Sequence, residues 1–253
     1  MVMTLKITKY KKSTKGRYKV FLEDGTELLL YEEVILQFQL LLLKEISSDL
    51  FMEVGQYNQE WDVYYVALNH LNSHFKSVHD MEEWLLRKEY PKELVEKAVT
   101  KLIHQGYLND RSYAKAYIHN QMITSHKGPY ALLRDLKEKK IEENIILEEM
   151  QVFTEEEQCQ RIQKLIEKFQ KSNRTRGGVV LKQKIFHDLK NLGYDISLIQ
   201  KEIEKVSFEN DKDLAKKEYE KLYRKYSKKK EGKELEEIIR QKLFQKGLRY
   251  EEE

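Results

Sequence analysis

A leucine-centred block recurs four times along the 253-residue chain and constrains its fold more than any single residue does. The copies read LLRKEYPKELV from Leu85, LKEKKIEENII from Leu136, LKNLGYDISLI from Leu189 and LFQKGLRYEEE from Leu243. An apolar side chain follows five positions after each leading leucine: Tyr90, Ile141, Tyr194 and Leu248. The first three copies add an apolar pair, Leu94–Val95, Ile145–Ile146 and Leu198–Ile199. Spacings of 51, 53 and 54 residues lie at or slightly beyond the upper end of the range for tandem arrays. Units in such an array bury against each other faces that a lone unit would leave wet, and they present an extended surface to a macromolecule. The pattern therefore points to binding rather than catalysis.

Between the copies the apolar residues return at helical spacing, about three helices to a period. Only two prolines, ten glycines and a charged fraction of 35% agree with helices that keep one face solvated. The expected fold is mainly α: tandem three-helix repeats in a curved array, after a small N-terminal β-meander and helix. The divisions fall at 1–55, 56–109, 110–153, 154–208 and 209–253, the last a partial repeat. Repeat one reads as helices Trp61–Phe75, Met81–Glu89 and Lys92–Gln105, with His79–Asp80 as a cap and Pro91 suiting the first turn of the third. In repeat two, Asp110 is the expected N-cap and Tyr113, Ala114, Tyr117 and Ile118 the core stripe; its second helix opens at Pro129. Thr154 and Glu157 suit a capping box. Gly193 and Gly247 fall where second helices stop, in the left-handed position that glycine tolerates, whereas the equivalent Glu89 and Lys140 are less suited to it. Repeat four ends as its third helix should begin, with Glu252–Glu253 in place of the apolar pair.

At the amino end, LKITKY, RYKVFL and TELLLY alternate as strands do, and Asp24–Gly25 signals a hairpin. The apolar run at 34–43 is about half of what spans a bilayer and reads as a buried helix within 32–44. The basic amino end is not followed by a signal-type apolar stretch. Cys159 is the only cysteine, which excludes an intramolecular disulfide, so a cytoplasmic, membrane-free protein is expected.

Enzyme chemistry has no anchor here. Nucleotide-binding glycine loops, GxSxG and HExxH are absent. His70 and His74 stand one helical turn apart with His79 nearby, yet no fourth ligand accompanies them, and Cys159 lacks a histidine partner. No metal, cofactor or catalytic residue is expected. Charge is more informative. Residues 1–20 hold seven Lys/Arg and no acids, and residues 170–230 hold 17 basic against 9 acidic. Arg174, Arg176, Lys182 and Lys184 surround a Gly177–Gly178 loop, and Lys217, Lys221, Arg224 and Lys225 share a helix with Tyr219, Tyr223 and Tyr226. These tyrosines read as a buried stripe at i, i+4, i+7, and the cations as phosphate or acidic-surface contacts.

The segment GYLNDRSYAKAYI resembles the signature of the RecX family, regulators of the RecA recombinase. Gly106, Tyr107, Leu108, Asp110, Tyr113, Ala114 and Ile118 match it, and Lys127, Gly128, Pro129, Leu136, Lys139 and Ile141 match the family's next stretch. Tyr130, Ala131 and Gln121 stand where arginines are common, and Lys140 where glycine is common. The resemblance implies three-helix units that bind RecA or RecA–DNA filaments and inhibit filament extension, recombinase and co-protease activity, in homologous recombination, DNA repair and the SOS response. Lys127, Arg134, Arg174, Arg176, Lys182, Lys184, Lys217, Lys221, Arg224 and Lys225 are the candidate contacts. Gly106, Tyr107, Leu108, Asp110, Tyr113, Ala114, Gly128 and Pro129 are expected to be mainly structural. A monomer is expected, with direct binding to single- or double-stranded DNA left open. The alternatives are a nucleic-acid-binding helical repeat and a helix-turn-helix regulator, neither with a RecA partner.

Overall fold

The computed structural model describes residues 4–14, 16–206 and 211–250. The three alternating segments form β1 (Thr4–Lys12), β2 (Arg17–Leu22) and β3 (Glu27–Tyr31). Gly25 at φ 87° turns β2 into β3, and Asp24 accepts from Thr26 N at 3.0 Å. A short helix, α1 (Glu32–Gln37), leads to a fourth strand, β4 (Glu45–Ser47), giving an antiparallel sheet in the order β3-β2-β1-β4. Val20, Leu22, Leu30 and Ile46 supply its buried side chains and pack with Val34, Ile35, Leu40 and Val54.

The apolar run at 34–43 is not the buried helix its composition suggests. Gln39 takes a left-handed φ of 51°, and Leu40 N turns back to the Ile35 carbonyl at 2.9 Å. Tyr10 then donates its hydroxyl to the Leu40 carbonyl. Ending the helix early brings β4 back to β1. Leu40 is buried as a result, and Leu36, Leu41 and Leu42 are left exposed.

Twelve α-helices occur among the described residues. The chain divides into two compact units, Met1–Tyr113 with Lys139–Ile141, and Ala114–Glu138 with Glu142–Glu253. In the first, α2 (Ser48–Leu71), α3 (Val78–Leu86) and α4 (Lys92–His104) make the first three-helix set. Helix α2 runs unbroken through residue 55, packing Val54 on the sheet and Val63, Tyr64 and Ala67 on α3 and α4. Its amino cap is Ser47, which accepts from Leu50 N. The cap of α3 is the buried Ser77, accepting from Asp80 N at 3.1 Å, and not His79–Asp80. Pro91 precedes the first turn of α4 as its cap residue.

The remaining helices are α5 (Asp110–Thr124), α6 (Pro129–Glu138), α7 (Glu143–Glu149) with a 3-10 turn at Met150–Val152, α8 (Glu155–Ser172), α9 (Gly178–Asn191), α10 (Ile196–Glu204), α11 (Asp211–Tyr226) and α12 (Gly232–Gln245). Thr154 caps α8 by accepting from Glu157 N, and Asp195 caps α10. Phe208 and the Glu252–Glu253 pair lie outside the described residues.

The leading leucines occupy one place in their second helices α3, α6, α9 and α12. Leu85, Leu136 and Leu189 are wholly buried and Leu243 nearly so. Four residues after each, the backbone is left-handed: Glu89 at φ 65°, Lys140 at 58°, Gly193 at 87° and Gly247 at 74°. The shared stop is thus kept even where a side chain must bear a left-handed conformation costing about 1–2 kcal/mol.

In the second unit these stops join successive helices. Gly128 N donates to the Leu192 carbonyl at 2.6 Å, and Tyr130 N to the Gly193 carbonyl at 3.0 Å. One period later, Gly177 N donates to the Lys246 carbonyl at 2.8 Å. Amide groups at the amino end of α6 are therefore satisfied at the carboxyl end of α9, and those of α9 at the end of α12. The backbones meet so closely that a Cβ on Gly128 would stand 2.5 Å from the Gly193 oxygen, and one on Gly177 equally near the Gly247 oxygen. Gly177 is accordingly a buried cap residue in a fixed junction, not part of an open loop.

Candidate partner-binding surfaces

The GYLND segment is a joint. Gly106 closes α4 at φ 75°, and Tyr107 N and Leu108 N both return to the Leu102 carbonyl. Leu108, Tyr113 and Ala114 are buried, while Tyr107 is 55% exposed. Asn109, rather than Asp110, caps α5, accepting from Ser112 N at 2.9 Å. Asp110 instead sends its carboxylate to α3 and accepts from Val78 N at 2.9 Å. With Asn109 already in the cap position, Asp110 falls in the first turn, from which its side chain reaches the neighbouring helix. The same end of α3 is tied by Lys139, whose ammonium lies 2.6 Å from Asp80 and 5.7 Å from the Tyr113 ring centroid. Tyr113 stacks on Phe75 at 5.3 Å, and burial raises its hydroxyl pKa.

Asp110→Ala should strand the Val78 amide and cost about 1–3 kcal/mol, whereas Asp110→Asn keeps an acceptor and should recover most of it. Urea unfolding midpoints measure both. An unchanged midpoint for the alanine variant would remove Asp110 from the joint.

The candidate cations differ in how free they are. Lys127 is held by Asp135 at 2.5 Å, and the same carboxylate accepts from the Tyr117 hydroxyl at 2.8 Å. Lys184 pairs with Asp188 at 2.7 Å. Arg134, Arg174 and Lys182 are exposed, and Arg176 is half-buried. Helix α11 gathers the rest: Lys217, Lys221, Arg224 and Lys225 stand at i, i+4, i+7 and i+8, on one face. Lys221 and Arg224 lie 3.9 Å from Glu218 and Glu220, contacts too exposed and long to hold them. Tyr219 and Tyr226 pack on the repeat-four core, but Tyr223 is 48% exposed and does not complete the buried stripe.

Several structural roles carry no sequence signal. Arg161 on α8 donates to the Met122 carbonyl at 2.8 Å, the Ser125 carbonyl at 3.1 Å and the Tyr194 hydroxyl at 3.3 Å. It thereby serves the carboxyl end of α5. The buried Glu202 is satisfied by Lys205 and Gln163, each at 2.6 Å, and burial followed by the Glu202 contact raises the thiol pKa of the half-buried Cys159. His70 stacks between His74 at 4.2 Å and Trp84 at 3.8 Å, and burial holds its pKa down. Among the described residues no group of three metal-ligating side chains converges, and no helix is long and apolar enough to cross a membrane.

Recurring second helices with a shared left-handed stop, stacked end to end in the second unit, define the class: a helical-repeat protein built from three-helix sets. Residues 109–150 match the family model described as RecX, second three-helix domain. The chain is 29% identical over 216 residues to the regulatory protein RecX of Bacillus subtilis (strain 168), covering 85% of this chain and 81% of that one. It is 27% identical over 210 residues to the regulatory protein RecX of Leuconostoc mesenteroides subsp. mesenteroides, with 83% and 79% covered. A crystal structure of regulatory protein RecX superposes with a TM-score of 0.73 at 26% identity, covering 79% of this chain and 99% of that one. RecX from Lactobacillus salivarius superposes with a TM-score of 0.55 at 25% identity, over 59% and 97%. Along most of its length the chain is therefore similar to proteins of the RecX family.

Proposed function

We propose that this chain is a non-enzymatic regulator that binds RecA or RecA–DNA filaments and inhibits filament extension, recombinase and co-protease activity. The reading rests on its similarity, along most of its length, to proteins named as RecX regulators. The working parts are an N-terminal subdomain to about residue 55 and repeats at 56–109, 110–153, 154–208 and 209–253, acting as a monomer in the cytoplasm. A filament groove offers phosphates and acidic side chains along its length, and repeats carrying cations at several levels can follow it. Binding there blocks the approach of the next subunit without any chemistry. Helix α11 contributes its four-cation face, Arg134, Arg174, Arg176 and Lys182 add to it, and Lys127 and Lys184 contribute less because carboxylates already hold them.

The test is RecA's single-strand-dependent ATPase with the protein titrated in. Activity should fall as the protein is added. Changing Lys217, Lys221, Arg224 and Lys225 to Gln should raise the concentration needed, and each lost phosphate contact should reduce the salt slope of binding by nearly one. An ATPase unmoved by the unmodified protein would overturn the reading. Unaltered inhibition by the α11 variant at low and moderate salt would take that face out of it.

A further inference from the structure

The carboxyl half of α8 carries a second cationic ridge, on a different helix from the candidate contacts above. Lys164, Lys168 and Lys171 stand at i, i+4 and i+7 and share one face. With Glu167 and Ser172 they line a shallow groove, wide open to solvent, whose residues are all charged or polar. Neither Lys164 nor Lys171 has an ion-pair partner among the described residues. Lys168 points its ammonium at His126, 2.9 Å from Nε2. An ammonium that close can only donate, so His126 must offer the Nε2 lone pair and be neutral.

We propose that this ridge, with His126 at its edge, is a binding site for the phosphodiester backbone of a nucleic acid, and that the site takes up a proton when it is filled. A wall without apolar anchors suits a polyanion better than a protein partner, whose affinity comes from buried apolar and aromatic side chains. The steps between the lysines, roughly 6 and 4.5 Å along the helix axis, set successive cations along an extended strand. Glu167 is the one opposing charge in the wall, leaving the groove net positive.

The proton follows from the contacts. The charged groups facing His126 are Lys168 and Arg161, both from α8; on its own segment Lys127 is held by Asp135. Burial, then those two cations, keep its pKa below the usual histidine value. A phosphate oxygen entering between Lys168 and Nε2 removes the acceptor that Lys168 had and presents one to Nε2–H instead. Protonated His126 then donates to the phosphate. The filled site therefore holds the proton to higher pH than the empty one, and affinity climbs as pH falls through the interval between the two.

The experiment uses the full chain without RecA, so its failure leaves the regulator reading untouched. A short oligothymidylate carrying a pH-insensitive rhodamine is titrated by anisotropy at fixed ionic strength, between about pH 8 and pH 6. Affinity should rise roughly fivefold to tenfold for the unmodified protein, near the limit for uptake of one proton over one pH unit. His126→Gln should abolish that dependence, and Lys164, Lys168 and Lys171 changed together to Gln should lower the salt slope by about two. Both variants are first checked for unchanged helical circular dichroism and melting. A pH-independent affinity in the unmodified protein, or a pH dependence that survives His126→Gln, would overturn the proton link. Capture of polyglutamate but not oligothymidylate would overturn the choice of partner.

Discussion

Gly193→Ala should destabilise the protein more than either Gly106→Ala or Gly128→Ala. Two penalties fall on one atom. The backbone at φ 87° is left-handed, which costs a side-chain-bearing residue about 1–2 kcal/mol. The new methyl would also drive into the backbone nitrogen of Ala131 and stand 2.8 Å from its Cβ. Relief requires α6 and α9 to part, which breaks the Tyr130 N to Gly193 bond and leaves the carbonyl of the buried Gly193 without that donor, at a further cost of about 1–3 kcal/mol. The sum is about 2–5 kcal/mol, a large fraction of a domain's stability. Two other glycines separate the causes. Gly106 has the same kind of φ, 75°, but open space around its would-be Cβ, so Gly106→Ala should show only the conformational cost. Gly128 lacks the left-handed φ but faces the Gly193 backbone, so Gly128→Ala should show only the crowding. Urea unfolding of the three variants should rank Gly193 as the most damaging. Equal losses for Gly106 and Gly193 would mean that the junction contributes nothing.

The repeat was legible because its signature is a buried leucine and a stop four residues later, and both are local. Leu85, Leu136, Leu189 and Leu243 are buried at equivalent points, and the stop appears even at Glu89 and Lys140, where the residue does not announce it. What the glycines of the junction do was not legible. Gly128 looks like a turn residue, but its lack of a Cβ matters only because the carbonyl of Gly193, far along the chain, lies against it. Asp110 misled for a similar reason. Next to a helix start an aspartate reads as a cap, yet Asn109 occupies that place and Asp110 serves α3. The run at 34–43 misled through composition: apolar content suggested burial, whereas the need to return β4 to β1 turned the chain at Gln39 and buried Leu40 in place of its neighbours. Charge patterning placed the α11 cations on one face, since a helix puts i, i+4 and i+7 side by side. It gave no sign that Lys127 and Lys184 pair with carboxylates eight and four residues away, and it passed over the α8 ridge, where the partner of Lys168 is a histidine 42 residues earlier.

Arg161 shows why cations in this chain must be sorted by what already holds them. Its side chain is only 15% exposed, and its guanidinium spends donors on two carbonyls at the end of α5 and on the buried hydroxyl of Tyr194, with Glu157 3.7 Å away. Arg161→Ala should leave those carbonyls and that hydroxyl without their donor, and Glu157 without its counter-charge, for a loss of about 3–5 kcal/mol. Arg161→Lys keeps the charge but offers one compact ammonium in place of a planar fork, so it can meet only part of the set and should recover about half. Denaturant unfolding gives the stability, and the RecA ATPase titration, run on the same preparations, reads the proposed function. If Arg161 is structural, inhibition by each variant should fall only in proportion to the fraction unfolded, and lowering the temperature enough to refold the lysine variant should restore it. A variant that stays fully folded yet no longer inhibits would instead place Arg161 among the contacts. It would then follow that the end of α5 is held by other groups and that the guanidinium leaves its carbonyls when the partner binds.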